Sequence, residues 1–170
     1  HNVLLVGAGE MSELTAVHLK AQQVSRIVVI NRTASQAENL AEKIGGEAIP
    51  WTEMQQVLTT TDVVVTATGS PTPIITSNQV EAVMRTRRNR PLFIMDIAVP
   101  RDVEASAGTI EQVFLYNIDD LQGIVSENLA RRSAQITKAE VIVAEEVNGF
   151  MTWLRSRRAV PTLVALRPRF

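Results

Sequence analysis

The spacing of the hydrophobic positions changes near residue 120. Before that point, short runs rich in Val, Ile and Leu alternate with stretches whose apolar residues recur at helical spacing. The runs predict strands at residues 3–6, 26–30, 47–50, 62–67, 91–97 and 113–116. The stretches between them predict helices at residues 13–22, 34–44, 52–58 and 77–87. Strands separated by helices are typical of an α/β fold with a doubly wound parallel sheet.

After this region, the pattern predicts one long C-terminal helix over residues 120–158. Proline is absent there, and apolar residues recur in steps of three and four. Asp119, with Gln122 three residues later, resembles a capping box at the start, and the segment 158–161, which ends in proline, is expected to stop the helix. A helix of this length would extend on the order of 55 Å. Such a helix predicts a spine between domains, a coiled coil or a dimer contact.

Composition excludes several classes of protein. The 170 residues hold 17 Lys and Arg against 18 Asp and Glu, which argues against a chain built mainly to coat nucleic acid or a membrane. No apolar run approaches the roughly 18 residues that a membrane-spanning helix needs. Cysteine is absent and the only histidines are His1 and His18. These residues therefore contain no disulfide, thiolate zinc site or cysteine nucleophile, and we expect no metal site.

The strongest chemical signal is a glycine-rich turn between the first strand and the first helix. Its sequence is Gly7-Ala8-Gly9-Glu10-Met11-Ser12. The first glycine makes a tight turn, the second lets backbone N–H groups approach a pyrophosphate, and the helix N-terminus faces that negative charge. Ser12 stands where many such motifs have a third Gly or Ala. The setting predicts dinucleotide binding, although a purely structural turn would use the same residues.

The end of the second strand bears on which dinucleotide binds. An NAD site usually places Asp or Glu here to accept from the ribose 2′-OH, whereas this chain has Asn31-Arg32-Thr33. Arg32 suits a 2′-phosphate, and Asn31 and Thr33 can donate hydrogen bonds to it. The alternative is a surface arginine beside a helix that Thr33 caps. We expect NADP rather than NAD.

Two further turns fall at the same carboxyl edge of the predicted sheet. Thr68-Gly69-Ser70 follows the fourth strand, where the glycine either lets a cofactor approach or simply makes a turn. After the fifth strand, Ile97-Ala98-Val99 is expected to form a wall of a nicotinamide pocket. The flanking Asp96 and Asp102 are expected to cap the loop rather than to act as catalytic carboxylates.

Two arginine clusters close predicted helices. They comprise Arg85, Arg87, Arg88 and Arg90 in the first cluster and Arg155, Arg157 and Arg158 in the second. Cations suit the negative end of a helix dipole, so we expect solvated helix ends. Phosphate contacts to an RNA are the alternative, although no aromatic residues are interleaved to indicate sequence recognition.

Several segments, in chain order, carry a resemblance to a known family. They are Gly7-Ala8-Gly9-Glu10-Met11, Glu13-Leu14-Thr15-Ala16, Asn31-Arg32-Thr33, residues 96–102, residues 115–121 and Val160-Pro161-Thr162. They resemble glutamyl-tRNA reductase. The resemblance implies a Rossmann NADP-binding domain at 1–119, a spinal helix at 120–158 and the start of a truncated dimerisation region at 159–170. The glycine turn and the segments 31–33, 68–70 and 97–99 are then the expected NADPH contacts.

The resemblance also implies an activity, the reduction of glutamyl-tRNA to glutamate-1-semialdehyde, the precursor of 5-aminolevulinate in tetrapyrrole (porphyrin, haem) biosynthesis. In that family a cysteine of an N-terminal domain attacks the aminoacyl ester, and hydride from NADPH reduces the thioester. Because this chain has no cysteine, we expect it to lack that domain, to hold no catalytic residue and to be inactive alone. The whole enzyme is expected to be a cytoplasmic (in plants, stromal) homodimer. It would bind glutamyl-tRNA through the missing domain and meet glutamate-1-semialdehyde aminomutase, with no membrane contact.

Two other functions stay open. Shikimate dehydrogenase and its relatives also join a glycine turn to Asn-Arg-Thr, although the long helix with Asp119-Asp120 has no natural place in them. The other is a non-catalytic NADP-binding or assembly module. The chain departs from the reductase pattern at Ser12, which replaces a glycine. It also departs at the C-terminus, where a dimerisation helix should continue and Pro168 is expected to interrupt it.

Overall fold

In this computed structural model the described residues are 1–22, 24–88 and 90–165. Their elements, in chain order, are β1 Asn2–Val6, α1 Glu10–Ala21, β2 Arg26–Ile30, α2 Ala34–Ile44, β3 Glu47–Ala48, α3 Met54–Leu58, β4 Val63–Thr66, α4 Ser77–Thr86, β5 Leu92–Asp96, β6 Val113–Asn117 and α5 Ile118–Ala165. Two 3-10 turns lie at Trp51–Glu53 and Ala105–Thr109.

The strands form one parallel sheet in the order β3-β2-β1-β4-β5-β6. β1 pairs with β2 on one side and with β4 on the other, so the direction of the winding reverses beside it. Open α/β sheets bind ligands outside the carboxyl ends of the strands at such a switch point. The expected fold class, a doubly wound parallel sheet followed by a long helix, is confirmed.

Both faces of the sheet are covered. Leu4 of β1 belongs to the apolar cluster that holds the buried residues of α3 and α4, whereas its neighbour Leu5 belongs to the cluster that holds those of α1 and α2. Successive side chains of a strand point to opposite faces. A strand covered on both faces therefore consists of an unbroken apolar run, which is why the strand positions could be predicted.

The chain divides into two compact units, His1–Leu121 and the residues from Gln122 on. In the second unit, α5 presents exposed apolar side chains, among them Val143, Val147 and Phe150. Within the described part of the chain, no helix has the length and apolarity needed to cross a membrane. The division into three regions at residues 119 and 158 stays a prediction.

The starts of α1 and α5 differ from the predictions because of their caps, whereas α2 and α4 begin at the predicted residues 34 and 77. α1 begins at Glu10, not at residue 13, since Gly9 is its extended N-cap. At α5, the Asn117 side-chain oxygen accepts from the backbone N–H of Asp119 (2.8 Å) and of Asp120 (3.1 Å). The Asp120 carboxylate accepts in return from the Asn117 N–H (2.9 Å). The capping box therefore joins Asn117 to Asp120, and the prediction of Asp119 with Gln122 was wrong.

The predicted end of the long helix was also wrong. α5 continues through Pro161 to Ala165. A proline removes the hydrogen bond to the carbonyl four residues earlier, but here the loss of that bond does not end the helix. The interruption predicted at Pro168 lies outside the described residues.

Candidate dinucleotide-binding site

The turn after β1 comes too close to a neighbouring strand end to admit a side chain at Gly7. This residue has φ +107°, and a Cβ added to it would lie 2.6 Å from the carbonyl oxygen of Ala67. Its N–H donates to the carbonyl of Ile30 at 2.8 Å, so the turn lies against the ends of both flanking strands. A Cβ at Gly9 would meet nothing within 4 Å. The fold therefore requires glycine at position 7, while the backbone at Gly9 is open to a ligand.

Of the remaining residues of the turn, two are packed inside the protein and two are exposed. Ala8 packs against the apolar cluster beneath α1, and Ser12 is buried, as expected for a small residue that lets the helix approach the sheet. Glu10 and Met11 are exposed at the start of α1. Since no side chain caps this helix start, its first N–H groups are free for an anion.

The side chains at the end of β2 have separate roles. The Asn31 amide donates to the Thr33 carbonyl (3.1 Å) and to the Gln36 side-chain oxygen (2.8 Å), so it shapes the loop. Thr33 is the N-cap of α2, yet its hydroxyl makes no capping hydrogen bond. Within the described part of the chain, the exposed Arg32 makes no hydrogen bond or ion pair. Arg32 and the Thr33 hydroxyl are therefore available to an anion, and donation by Asn31 to a 2′-phosphate stays a prediction.

A cavity of about 220 Å³ joins the carboxyl ends of β2 and β4. Its lining residues are Asn31, Arg32, Thr33, Gln36, Trp51, Thr68, Gly69, Ser70 and Ile74. The structure thus brings together the segments 31–33 and 68–70. It adds three lining residues that were not predicted from the sequence, namely Gln36, Trp51 and Ile74. Gln36 is one helical turn beyond Thr33, a spacing that could have indicated it. A larger cavity of about 390 Å³, at the amino ends of β2 and β3, is lined by none of the expected residues.

A buried carboxylate holds the segment after β4. Asp102 is fully buried and accepts from both the N–H (2.8 Å) and the hydroxyl of Thr68. The Ser70 hydroxyl donates to the carbonyl of Thr72 at 2.7 Å, while a Cβ at Gly69 would meet nothing within 4 Å. Burial raises the pKa of Asp102, and the hydrogen bonds from Thr68 oppose that rise. The segment is therefore held from inside the protein and is open at Gly69.

A second buried carboxylate, Asp96, organises the segment after β5. One of its oxygens accepts from the Thr66 hydroxyl and the Ala98 N–H, and the other from the N–H groups of Asp102 and Val103, all at 3.1 Å. Three of these bonds shape the loop, and the fourth joins Asp96 to β4, so both carboxylate oxygens are used. Asp96 and Asp102 thus cap the loop, as expected from the sequence.

The expected nicotinamide wall is uneven in its exposure. Val99 is 79% exposed, Ala98 is buried, and Ile97 packs partly against the apolar cluster beneath α1. Their contact with a nicotinamide stays a prediction. Among the described residues, no group of three His, Asp or Glu side chains is placed to hold a metal ion.

In the first arginine cluster, Arg85, Arg88 and Arg90 are exposed as expected, whereas Arg87 corrects the expectation of a solvated helix end. Arg87 is only 7% exposed. Its guanidinium donates to the backbone carbonyls of Leu58 (2.8 Å), Thr59 (3.2 Å), Thr61, Arg90 (3.2 Å) and Pro91 (2.6 Å). Burial lowers the pKa of Arg87. Its charge is thus satisfied inside the protein, and it is not available to an RNA phosphate. In the second cluster, the side chains of Arg157 and Arg158 lie outside the described ones.

The sheet order, the glycine turn and the cavity together define a dinucleotide-binding domain of the Rossmann class. A family model described as "Shikimate / quinate 5-dehydrogenase" matches residues 1–124, and the chain belongs to this family. A second model, "Glutamyl-tRNAGlu reductase, dimerisation domain", matches residues 138–170.

The curated relatives are more specific. The glutamyl-tRNA reductases of Trichlorobacter lovleyi and Syntrophobacter fumaroxidans are each 47% identical, over 99% and 98% of this chain. The chain spans only 39% and 36% of their lengths. The solved glutamyl-tRNA reductase from Methanopyrus kandleri is 43% identical, with a TM-score of 0.75 over 94% of this chain and 41% of that one. The resemblance to glutamyl-tRNA reductase inferred from the sequence is confirmed.

One further solved structure supports the fold alone. It is the nucleotide binding domain of the glutamyl-tRNA reductase from Thermoplasma volcanium, 23% identical, with a TM-score of 0.61. The match covers 78% of this chain and 86% of that one.

Proposed function

We propose that these residues are the NADPH-binding part of a glutamyl-tRNA reductase. The observation that carries the proposal is the cavity in which Asn31-Arg32-Thr33 meets Thr68-Gly69-Ser70. Among the described residues that line it, none is acidic. The cavity therefore offers a cation to a 2′-phosphate and lacks the carboxylate with which NAD sites accept from the 2′-OH.

The residues present fit such a dinucleotide. The open backbone at Gly9 and the uncapped start of α1 would hold the pyrophosphate. The Arg32 guanidinium and the Thr33 hydroxyl would hold the 2′-phosphate beside the N-terminus of α2, whose first turn contains no acidic residue. Gly69 would let the cofactor approach the end of β4.

NADPH supplies a hydride when it is bound, and the task of these residues is to orient it. Val99 presents an apolar side chain at the carboxyl end of β5, where it would shield the nicotinamide ring from water on one side. We assign no proton transfer and no covalent step to this chain, because its buried carboxylates, Asp96 and Asp102, are occupied in holding loops.

The activity proposed for the whole protein is the reduction of glutamyl-tRNA to glutamate-1-semialdehyde. Because the 170 residues hold no cysteine, we assign the thiol step to a part of the whole protein that they do not cover. The region matched by the dimerisation model supports a homodimer. We further propose a division into 1–119, 120–158 and 159–170, a cytoplasmic location and transfer of the aldehyde to its aminomutase.

A shikimate dehydrogenase-like oxidoreductase is the second candidate, favoured by the name of the family model over residues 1–124. Two findings favour the reductase instead. The 47% identity extends over 99% of the chain and therefore includes α5, and the dimerisation model matches part of that helix.

The test is a titration of the chain with NADPH and with NADH, followed by the fluorescence of the reduced nicotinamide. We expect a preference for NADPH that Arg32→Ala reduces by roughly 10- to 100-fold, since a hydrogen-bonded charge pair is lost, with little change for NADH. The matched control is Arg85→Ala, which removes an exposed arginine of α4 and should change neither affinity. Equal binding of the two dinucleotides would contradict the assignment of Arg32.

A further inference from the structure

We infer that Trp51 is the residue against which the adenine base of NADPH packs, an inference that rests on the proposed function. Trp51 begins the 3-10 turn after β3 and lines the cavity. Its indole is partly exposed and packs against the apolar cluster beneath α3 and α4. An aromatic side chain with one side on the core and another on a cavity provides a flat surface for a base.

The cavity combines two chemically different groups of residues. Arg32 and Thr33 are polar and suit a phosphate, whereas Trp51 and Ile74 supply apolar surface. In the dinucleotide, the 2′-phosphate and the adenine are attached to the same ribose. A phosphate at Arg32 would therefore place the base within the same cavity, where the apolar residues favour a flat aromatic group.

The size of the cavity supports one end of the dinucleotide rather than the whole molecule. Its volume of about 220 Å³ is below the roughly 300–1,000 Å³ of sites for complete ligands. The pyrophosphate and nicotinamide would then lie along the carboxyl edge of the sheet, towards Gly9 and Val99. The adenosine end alone is thus the part that this cavity would recognise.

Trp51 is held in place before any ligand arrives. The N–H of Ile49 donates to the carbonyl of Val29 (3.0 Å), which ties the chain before Trp51 to β2. The N–H of Glu53 donates to the carbonyl of Pro50 (3.0 Å), which closes the turn around it. In the described part of the chain, the indole N–H of Trp51 makes no hydrogen bond, so it is free to donate to a phosphate beside the edge of the ring.

The experiment compares the chain with its Trp51→Ala and Trp51→Phe variants, titrated with NADPH and with adenosine 2′,5′-bisphosphate. We expect Trp51→Ala to weaken both ligands by about tenfold or more and Trp51→Phe to restore most of the affinity. The matched control is Ile110→Ala, which trims a partly buried residue that packs against the same apolar cluster and does not line the cavity. It should lower the melting temperature and leave both affinities unchanged.

A spectroscopic measurement separates stacking from a purely structural role. The chain has two tryptophans, so in a Trp153→Phe background all tryptophan emission comes from Trp51. We expect adenosine 2′,5′-bisphosphate to quench that emission. In the Trp51→Phe chain, we expect the emission of Trp153 to be unchanged by the same ligand.

Each outcome is decisive. Unchanged affinities in Trp51→Ala, or no quenching in the Trp153→Phe chain under conditions where the ligand binds, would overturn the inference and leave the proposed function intact. If the unsubstituted chain bound neither NADPH nor adenosine 2′,5′-bisphosphate, the proposed function and the inference would both be wrong. Should Trp51→Ala fail to fold, the quenching measurement in the Trp153→Phe chain decides.

Discussion

Replacing Arg87 by alanine should destabilise the first unit of the chain severely, although its sequence context is that of a surface arginine cluster. Its guanidinium donates to carbonyls of the segment 58–61, at the end of α3, and of the segment 90–91, which leads into β5. The alanine variant would leave these acceptors without a donor, in positions where burial keeps water away.

The magnitude follows from the two bonds that are fully buried, those to Leu58 and Thr61. A hydrogen bond to a charged group stabilises a protein by about 1.5–3 kcal/mol, so the pair contributes about 3–6 kcal/mol. The lowered pKa shows that burial opposes the charge, and removal of that charge offsets part of the loss. We expect a net loss of about 3–4 kcal/mol, close to the value for breaking a buried charged network. A unit of this size is stabilised by only about 6–18 kcal/mol.

The assay is urea unfolding followed by the emission of Trp51 in the Trp153→Phe background, which reports on the first unit. Arg87→Ala should lower the free energy of unfolding by the stated amount and the melting temperature by on the order of 10 °C. Arg87→Lys should be intermediate, because an ammonium keeps the charge with fewer donors. Arg85→Ala, on the exposed side of α4, should cost less than about 0.5 kcal/mol. The reasoning would be refuted if the free energy of unfolding of Arg87→Ala lay within about 1 kcal/mol of that of the unsubstituted chain.

Two further predictions concern the glycine turn and the buried carboxylate. Gly7→Ala places a Cβ 2.6 Å from the Ala67 carbonyl at a positive φ, so thermal denaturation should show that the free energy of unfolding falls by several kcal/mol. Gly9→Ala should have a melting temperature close to that of the unsubstituted chain. Equal melting temperatures of the two variants would contradict this account. In Asp102→Asn, the amide oxygen can accept from the Thr68 N–H and the amide NH2 can donate to the Thr68 hydroxyl, but the side chain carries no charge. Since the pKa of Asp102 is raised in the folded state, the folded protein binds the proton more tightly and loses stability as the pH rises above about 4. Between pH 4 and 7.5, urea unfolding should therefore show that the stability of Asp102→Asn rises relative to that of the unsubstituted chain as the pH increases. A stability difference that does not change with pH would count against this prediction.

The strands and the glycine turn could be predicted because their causes are local. A strand covered on both faces must be apolar along its buried length, as residues 3–6 of β1 are. The turn at Gly7 needs a positive φ that other residues avoid. In both cases, the local structure requires a particular type of residue, and that residue can be recognised in the sequence.

The burial of Arg87 and the place of Trp51 in the cavity could not be predicted, because both depend on contacts with segments that are distant in the sequence. Arg87 is buried only because the segment 58–61 lies beside the end of α4, and no spacing in the sequence records that contact. Trp51 belongs to the cavity only because β3 pairs with β2 and brings the following turn beside Arg32. The start of α5 was misplaced for a different reason, since Asn117 and Asp119 are both good N-caps and the sequence does not rank them.

The four hydrogen bonds that converge on Asp96 have a consequence for the speed of ligand capture. Three of them, from the N–H groups of Ala98, Asp102 and Val103, tie the segment after β5 to Asp96, and the fourth ties Asp96 to β4 through the Thr66 hydroxyl. Restricting a backbone costs about 1–2 kcal/mol of conformational entropy per residue, and for this loop that cost is met when the chain folds. A dinucleotide arriving at the carboxyl edge would therefore meet an ordered surface beside Val99. Its association rate should be set by diffusion and charge, with no loop closure as a slow step.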